Sequence, residues 1–156
     1  MAYQKLQAGE ALAILTSDTI SVPNPSAVAA SGTAAAPTGA QLVGTGTTFT
    51  NSVRVGDIVY DTTNSVPATV DAIVSDTVLT TSAAIATGAS YVIYSQSTNP
   101  NNGCVLYVGV AGDVKVKMAG GNDITLKTVG AGSFLPINVI QVFATKTTAT
   151  DIVALW

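Results

Sequence analysis

Apolar and polar residues alternate along much of this chain, and this period of two is the feature that most restricts its fold. At 113–118 the sequence DVKVKM places Val114, Val116 and Met118 on one side of an extended chain, with Lys115 and Lys117 on the other. Apolar residues seldom recur at spacings of three and four, the spacing by which a helix buries one face. The chain is therefore predicted to be all-β.

The last third of the chain carries the clearest strand pattern. The stretch AGGND at 119–123 supplies the residues of a tight turn, and alternation resumes at 124–129, which predicts a hairpin. The remaining predicted strands of this region and of the first 22 residues lie at 104–110, 137–144, 151–156, 10–15 and 18–22. A short helix is the alternative at 10–15, because alanines weaken the strand pattern there. Short strands at regular spacing are typical of a β-sandwich or a jelly-roll-like domain.

The middle of the chain shows a second group of short strands. They are predicted at 41–49, 53–61, 68–74, 77–81 and 90–94. Together these strands predict a small β-barrel module over 41–96. Residues 23–40 are rich in Ala, Pro, Ser and Gly and contain no large apolar side chain, so this segment is predicted to be a linker.

These patterns predict an insertion. One sandwich-like assembly domain would be built from 1–22 and 98–156, with the small barrel placed in a surface loop, where insertions are tolerated best. Two consecutive domains are the alternative. Insertion is favoured because 1–22 holds too few strands to fold alone.

Charge excludes several classes of partner. The 156 residues contain 6 Lys and Arg against 9 Asp and Glu, for a formal net charge of -3, and no basic run. Nucleic acids and anionic membranes both require clustered cations, so neither is expected as a partner. The opening residues lack the pattern of a secretory signal, and no stretch approaches the roughly 20 apolar residues of a membrane span. Synthesis in the cytosol is expected.

Few residues could support catalysis or bind a metal. There is no histidine, which excludes Ser-His-Asp triads and His-ligated zinc. Cys104 lies in an apolar run and is expected to be a buried, inert thiol. Four carboxylates lie close together in the sequence, and they are expected to cap turns rather than act as a catalytic or calcium-binding group: Asp57, Asp61, Asp71 and Asp76.

Two glycine clusters, at 44–47 and 130–133, are predicted to be strand corners. Neither precedes a predicted helix or ends in the Gly-Lys-Ser/Thr of a phosphate loop. No catalytic residue, metal ligand or cofactor is therefore expected, and the protein is predicted not to be an enzyme.

Large side chains at the chain ends and at one corner are the candidates for subunit contacts: Tyr3, Leu6, Phe134 and Trp156. Phe134 is predicted to lie at a corner. The ring of Trp156 is expected to pack either in its own core or against a neighbouring subunit, and the sequence leaves both open. A separate hypothesis makes three tyrosines of the middle module a platform for sugars, although strand alternation is expected to place some of them in the core of the small barrel: Tyr60, Tyr91 and Tyr94.

The C-terminal third resembles a known group of proteins. Its motifs are GCVLYVG at 103–109, GDVKV at 112–116 and FATKTTATDIVALW at 143–156. In this order they resemble small virion proteins of tailed bacteriophages and gene transfer agents, including the base proteins of head spikes. The middle segments GTGTTF at 44–49 and VGDIV at 55–59 are similar to small β modules inserted in phage structural proteins.

The resemblance implies a structural component of a virion, made in the host cytoplasm. Such a protein would decorate or cement the capsid or form a vertex or spike base. Its partners would be copies of itself, the major capsid protein or other virion proteins, and a homo-oligomer is expected. The long central insertion departs from the pattern, so a tail adaptor or a carbohydrate-binding host-recognition module is the alternative.

Overall fold

The structure is a computed structural model that describes residues 8–156, so Tyr3 and Leu6 lie outside the described residues. Strands account for 48% of the chain and helix for 3%, which confirms the all-β fold class. The elements are β1 (Ala11–Ala13), β2 (Val28–Thr33), β3 (Gln41–Val43), α1 (Phe49–Ser52), β4 (Ile58–Asp61), β5 (Val66–Ile73), β6 (Val78–Thr81), β7 (Ser90–Tyr94), β8 (Cys104–Val110), β9 (Gly112–Met118), β10 (Asp123–Val129), β11 (Ser133–Val142) and β12 (Thr150–Leu155). None of the helices in the described part of the chain is long and apolar enough to cross a membrane.

The chain forms two compact units. The first, which we call the terminal unit, consists of residues 8–14 and 102–156, and the second, the central unit, consists of 15–101. The central unit therefore interrupts the chain of the terminal unit.

The terminal unit is one six-stranded antiparallel sheet in the order β1-β12-β8-β11-β9-β10. Only Ala111 separates β8 from β9, yet β11 lies between them and pairs with both. The sheet must therefore bend sharply near Ala111 and curl around one of its faces. That inner face holds fully buried side chains, among them Leu106, Val108, Val114 and Val116.

The predicted hairpin at 113–129 is confirmed. Strands β9 and β10 are antiparallel neighbours, with Val116 opposite Ile124. Gly121 in the connecting turn has a φ of 94°, a conformation that glycine adopts without steric cost.

The central unit is a second antiparallel sheet in the order β2-β7-β4-β5-β6-β3. The sheet curls, and a bridge between Ala35, just after β2, and Val43 in β3 links its two outer strands. Its interior is a continuous apolar cluster that includes Leu42, Phe49, Leu79, Ile85, Tyr91 and Ile93.

Two sequence-based assignments in the first 40 residues are wrong. Residues 28–33, within the predicted linker, form β2 and pair with β7. Residues 18–22, predicted to be a strand, contain none, although Ile20 and Val22 are buried. The Ser17 Oγ accepts hydrogen bonds from the Thr19 and Ile20 backbone N–H groups and turns the chain at this point.

Candidate functional site

The candidate subunit contacts that the structure describes are Phe134 and Trp156. Phe134 lies in strand β11 rather than at a corner, and 48% of its surface is exposed. Trp156 follows β12; its carbonyl oxygen accepts a hydrogen bond from the Gly9 N–H at 2.6 Å, and its ring is half-buried. Of these two aromatic rings, Phe134 is the more accessible.

Strand register places other apolar side chains beside Phe134. Phe134 faces Tyr107 across the β11–β8 pair, and Tyr107 faces Val153 across β8–β12. Val153 in turn faces Ala13 on β1. These four side chains form a row across four neighbouring strands, and Tyr107 is 41% exposed.

A second apolar row runs beside the first. It consists of Ala11, Leu155 and Val105, which face one another across β1, β12 and β8. Both rows lie opposite the buried inner face, because successive residues of a strand point to opposite sides. We call these seven residues the apolar face: Ala11, Ala13, Val105, Tyr107, Phe134, Val153 and Leu155.

The same side of the sheet is charged on strands β9 and β10. There Lys115 faces Thr125, and Lys117 faces Asp123. The Lys115 Nζ also lies 4.1 Å from the centre of the Phe143 ring. The seven residues of the apolar face carry no charge, although the exposed Asp151 on β12 lies on the same side, beside Gly109 of β8. An uncharged apolar patch bordered by charged residues is typical of an interaction surface.

The edges of this sheet are poorly suited to adding a strand from another chain. The register breaks between Leu126 and Val129 in β10, and Thr128 within the break has a φ of 48°. Bulges and edge lysines such as Lys127 disfavour edge-to-edge pairing. The other edge strand, β1, is three residues long. A partner therefore finds more surface on the apolar face than along the edges.

An ion pair holds the irregular part of β10 against β9. The Lys127 Nζ lies 2.6 Å from Asp113 Oδ2, and the Thr128 N–H donates to Asp113 Oδ1 at 2.9 Å. The hydrogen bond from Lys127, together with that from the Thr128 backbone, lowers the pKa of the Asp113 carboxyl below its ordinary 3.8.

We expect Lys127→Met to raise the pKa of Asp113, because the variant removes the larger of the two hydrogen-bond contributions. A pH titration followed by the Asp113 carboxyl carbon resonance measures this. Since the folded-state pKa is the lower one, the interaction stabilises the fold above the unfolded-state pKa and is lost as pH falls through the folded-state value. Lys117→Met is the matched control, and an equal shift in both variants would contradict the assignment.

The four clustered carboxylates act as structural acceptors. Buried Asp57 accepts the Arg54 N–H at 2.8 Å and the Gln96 N–H at 3.0 Å. Buried Asp61 accepts the N–H groups of Thr63 and Asn64 in the turn after β4. Asp71, within β5, accepts from the Thr69 hydroxyl, and Asp76 accepts from the backbone N–H and hydroxyl of Thr50, 26 residues away in the chain. Within residues 8–156 no group of three His, Cys, Asp or Glu side chains could hold a metal ion.

The first glycine cluster does precede a helix, contrary to expectation. One turn of helix, α1, follows residues 44–47, and Asp76 already occupies its first turn by accepting the Thr50 N–H. Cys104 is buried, as expected, and its thiol donates to the Val139 carbonyl oxygen at 3.2 Å.

The proposed tyrosine platform for sugars is wrong in its geometry. Tyr60, Tyr91 and Tyr94 are between 1% and 6% exposed, so none offers a ring face to a ligand. Tyr60 and Tyr94 pack edge to face, with ring centres 5.6 Å apart. Burial raises the pKa of the Tyr91 and Tyr94 phenols.

Sequence reasoning identified Phe134 but missed Tyr107 and Val153. Alternation in GCVLYVG at 103–109 predicts that the side chains of Tyr107 and Leu106 point to different sides of the strand. The sequence does not indicate which of the two sides is buried. No protein-family model, curated protein or solved structure matches this chain.

Proposed function

We propose that this chain is a non-enzymatic structural subunit of a phage particle that associates with copies of itself through the apolar face. The observation that carries the proposal is the continuous row of Phe134, Tyr107, Val153 and Ala13, free of charge and partly open to solvent. Exposed aromatic residues with a charged neighbouring surface are characteristic of subunit interfaces.

The sequence motifs at 103–109, 112–116 and 143–156 support the phage assignment. They lie on β8, on β9 and on β12 with the segment before it, and they include four of the seven residues of the apolar face: Val105, Tyr107, Val153 and Leu155. The location would be the capsid surface, a vertex or a spike base, with the major capsid protein or other virion proteins as further partners. A tail adaptor remains the alternative, since the same face would serve a ring of subunits.

The test is the composition of the particle. We expect mass spectrometry of purified virions to detect this chain in stoichiometric amounts, and cryo-electron microscopy to locate its sheets in ordered density, with the apolar face covered by a neighbour. Absence of the chain from purified virions would refute the phage assignment. A map in which the apolar face is open to solvent would refute the proposal that subunits associate through this face.

A further inference from the structure

The central unit has an open, polar surface cavity of about 500 Å³ that the assembly role does not use, and most of its lining side chains are exposed. Its walls come from the chain leading into β2, the end of α1 and the turn after β7. Its polar lining includes Asn51, Arg54, Ser95, Thr98 and Asn99. A cavity of this volume lies in the range of small-molecule sites.

Arg54 is the only Lys or Arg in residues 15–101, and it lines this cavity. Its Nη1 donates to the Val53 carbonyl at 2.9 Å and to the Asn51 carbonyl at 3.5 Å, which fixes the guanidinium at the end of α1. Among the described residues, its Nε and Nη2 make no hydrogen bond. These two nitrogens present parallel N–H groups, the arrangement that binds a carboxylate through both oxygens.

Neutral donors and acceptors complete the lining. The side-chain amides of Asn51 and Asn99 make no hydrogen bond within the described part of the chain. The Ser95 and Thr98 hydroxyls lie 2.8 Å apart and hold the turn after β7 in place. Such amides and hydroxyls match the hydroxyl groups of a sugar, each of which both donates and accepts.

Residues 15–101 hold five Asp side chains against the single cation Arg54, but none of the five lines this site. The carboxylate that contacts the Arg54 backbone, Asp57, is 1% exposed, and its two oxygens accept the N–H groups of Arg54 and Gln96. The Arg54 guanidinium therefore has no carboxylate partner among the residues described.

We propose that this cavity binds an acidic sugar unit, with its carboxylate paired to Arg54 and its hydroxyls bonded to Asn51, Asn99 and the Ser95–Thr98 pair. The site uses none of the three tyrosines and lies wholly within the central unit. It would give an assembling subunit a contact with acidic surface glycans.

The proposal is tested by titrating the full chain with methyl glucuronide, methyl glucoside and acetate, and recording amide resonances. We expect methyl glucuronide to shift the Val28, Ala29, Ser52 and Asn99 amides with a Kd of about 1 mM. Methyl glucoside lacks the carboxylate and acetate lacks the hydroxyls, so each should bind at least about five-fold more weakly.

Variants locate the site. Arg54→Gln should weaken methyl glucuronide binding about ten-fold and remove the preference for methyl glucuronide over methyl glucoside. The reason is that the variant lacks the charged guanidinium with its two parallel N–H donors. Asn99→Ala should weaken it while leaving the Arg54 contacts to α1 intact, and Lys146→Gln is the charge-matched control that should change nothing. The proposal would be overturned if these amides do not shift, or if acetate binds as tightly as methyl glucuronide. It would also be overturned by a folded Arg54→Gln variant that binds methyl glucuronide as tightly as the parent chain.

Discussion

Phe134→Lys is expected to abolish the self-association that we propose for the apolar face. The substitution places a cation at the β11 end of the apolar face, beside Tyr107, where a second copy would have to bury it without a partner. Loss of the aromatic anchor and burial of the charge should together weaken association by about 3 kcal/mol, or roughly a hundred-fold in Kd. Sedimentation equilibrium over a wide concentration range measures the effect.

Fold and surface effects can be separated in this experiment. Phe134 is already half exposed in a strand, so the lysine should leave the circular dichroism spectrum unchanged. Val74→Lys is the matched control, since Val74 is 61% exposed and lies in the central unit. Equal association of the Phe134→Lys and parent chains, or a parent chain that stays monomeric throughout, would contradict assembly through the apolar face.

Gly112→Ala should destabilise the terminal unit by about 3 kcal/mol, the upper range for overpacking. A Cβ at this position would lie 2.4 Å from the Ala149 nitrogen and 2.7 Å from the Thr148 carbonyl carbon. Both are backbone atoms of the chain that leads into β12, so relief requires moving the main chain at the bend between β8 and β9.

Urea unfolding followed by Trp156 fluorescence reports on this effect, because the single tryptophan belongs to the terminal unit. Gly130→Ala is the matched control. A Cβ there would lie 3.5 Å from the Ser133 Oγ, an ordinary contact, and we expect a change of less than about 1 kcal/mol. Equal midpoints for the two variants would show that the close approach at Gly112 does not constrain the fold.

The sequence predicted those elements whose pattern is local. Alternation placed Val114 and Val116 on the buried side of β9, and the glycines at 120 and 121 located the turn into β10. A hairpin depends on neighbouring residues and its own turn, so its register is encoded within about 17 residues of chain.

Strand β2 shows why other elements were missed. Its sequence VAASGT has small residues where a strand usually carries large ones. In the folded unit, a Cβ on Gly32 would lie 3.0 Å from the Tyr91 hydroxyl oxygen, and Ala34 beyond it is buried. The small residues make room for the Tyr91 side chain on β7. Because Tyr91 is nearly 60 residues away in the chain, the local sequence could not identify this segment as a strand.

At 18–22 the alternation of apolar residues predicted a strand where the structure has none. Ile20 and Val22 are buried there without forming a strand, because burial needs only an apolar surface, whereas a strand also needs a neighbour with free backbone groups. The prediction that the carboxylates cap turns holds for Asp61, which accepts N–H groups two and three residues away. It is wrong for Asp71, which lies within β5, and for Asp76, which accepts its hydrogen bonds from Thr50, 26 residues away in the chain.

The amino-acid sequence by itself determined the all-β class, the hairpin at 113–129 and the absence of histidine chemistry. The tertiary structure alone decided which apolar residues share an exposed face. Tyr107 and Phe134 are far apart in the chain and become neighbours only through the β8–β11 register, while Val153 and Ala13 join them from two further strands. Register between distant strands is set by the packing of the whole sheet, so no local pattern contains it.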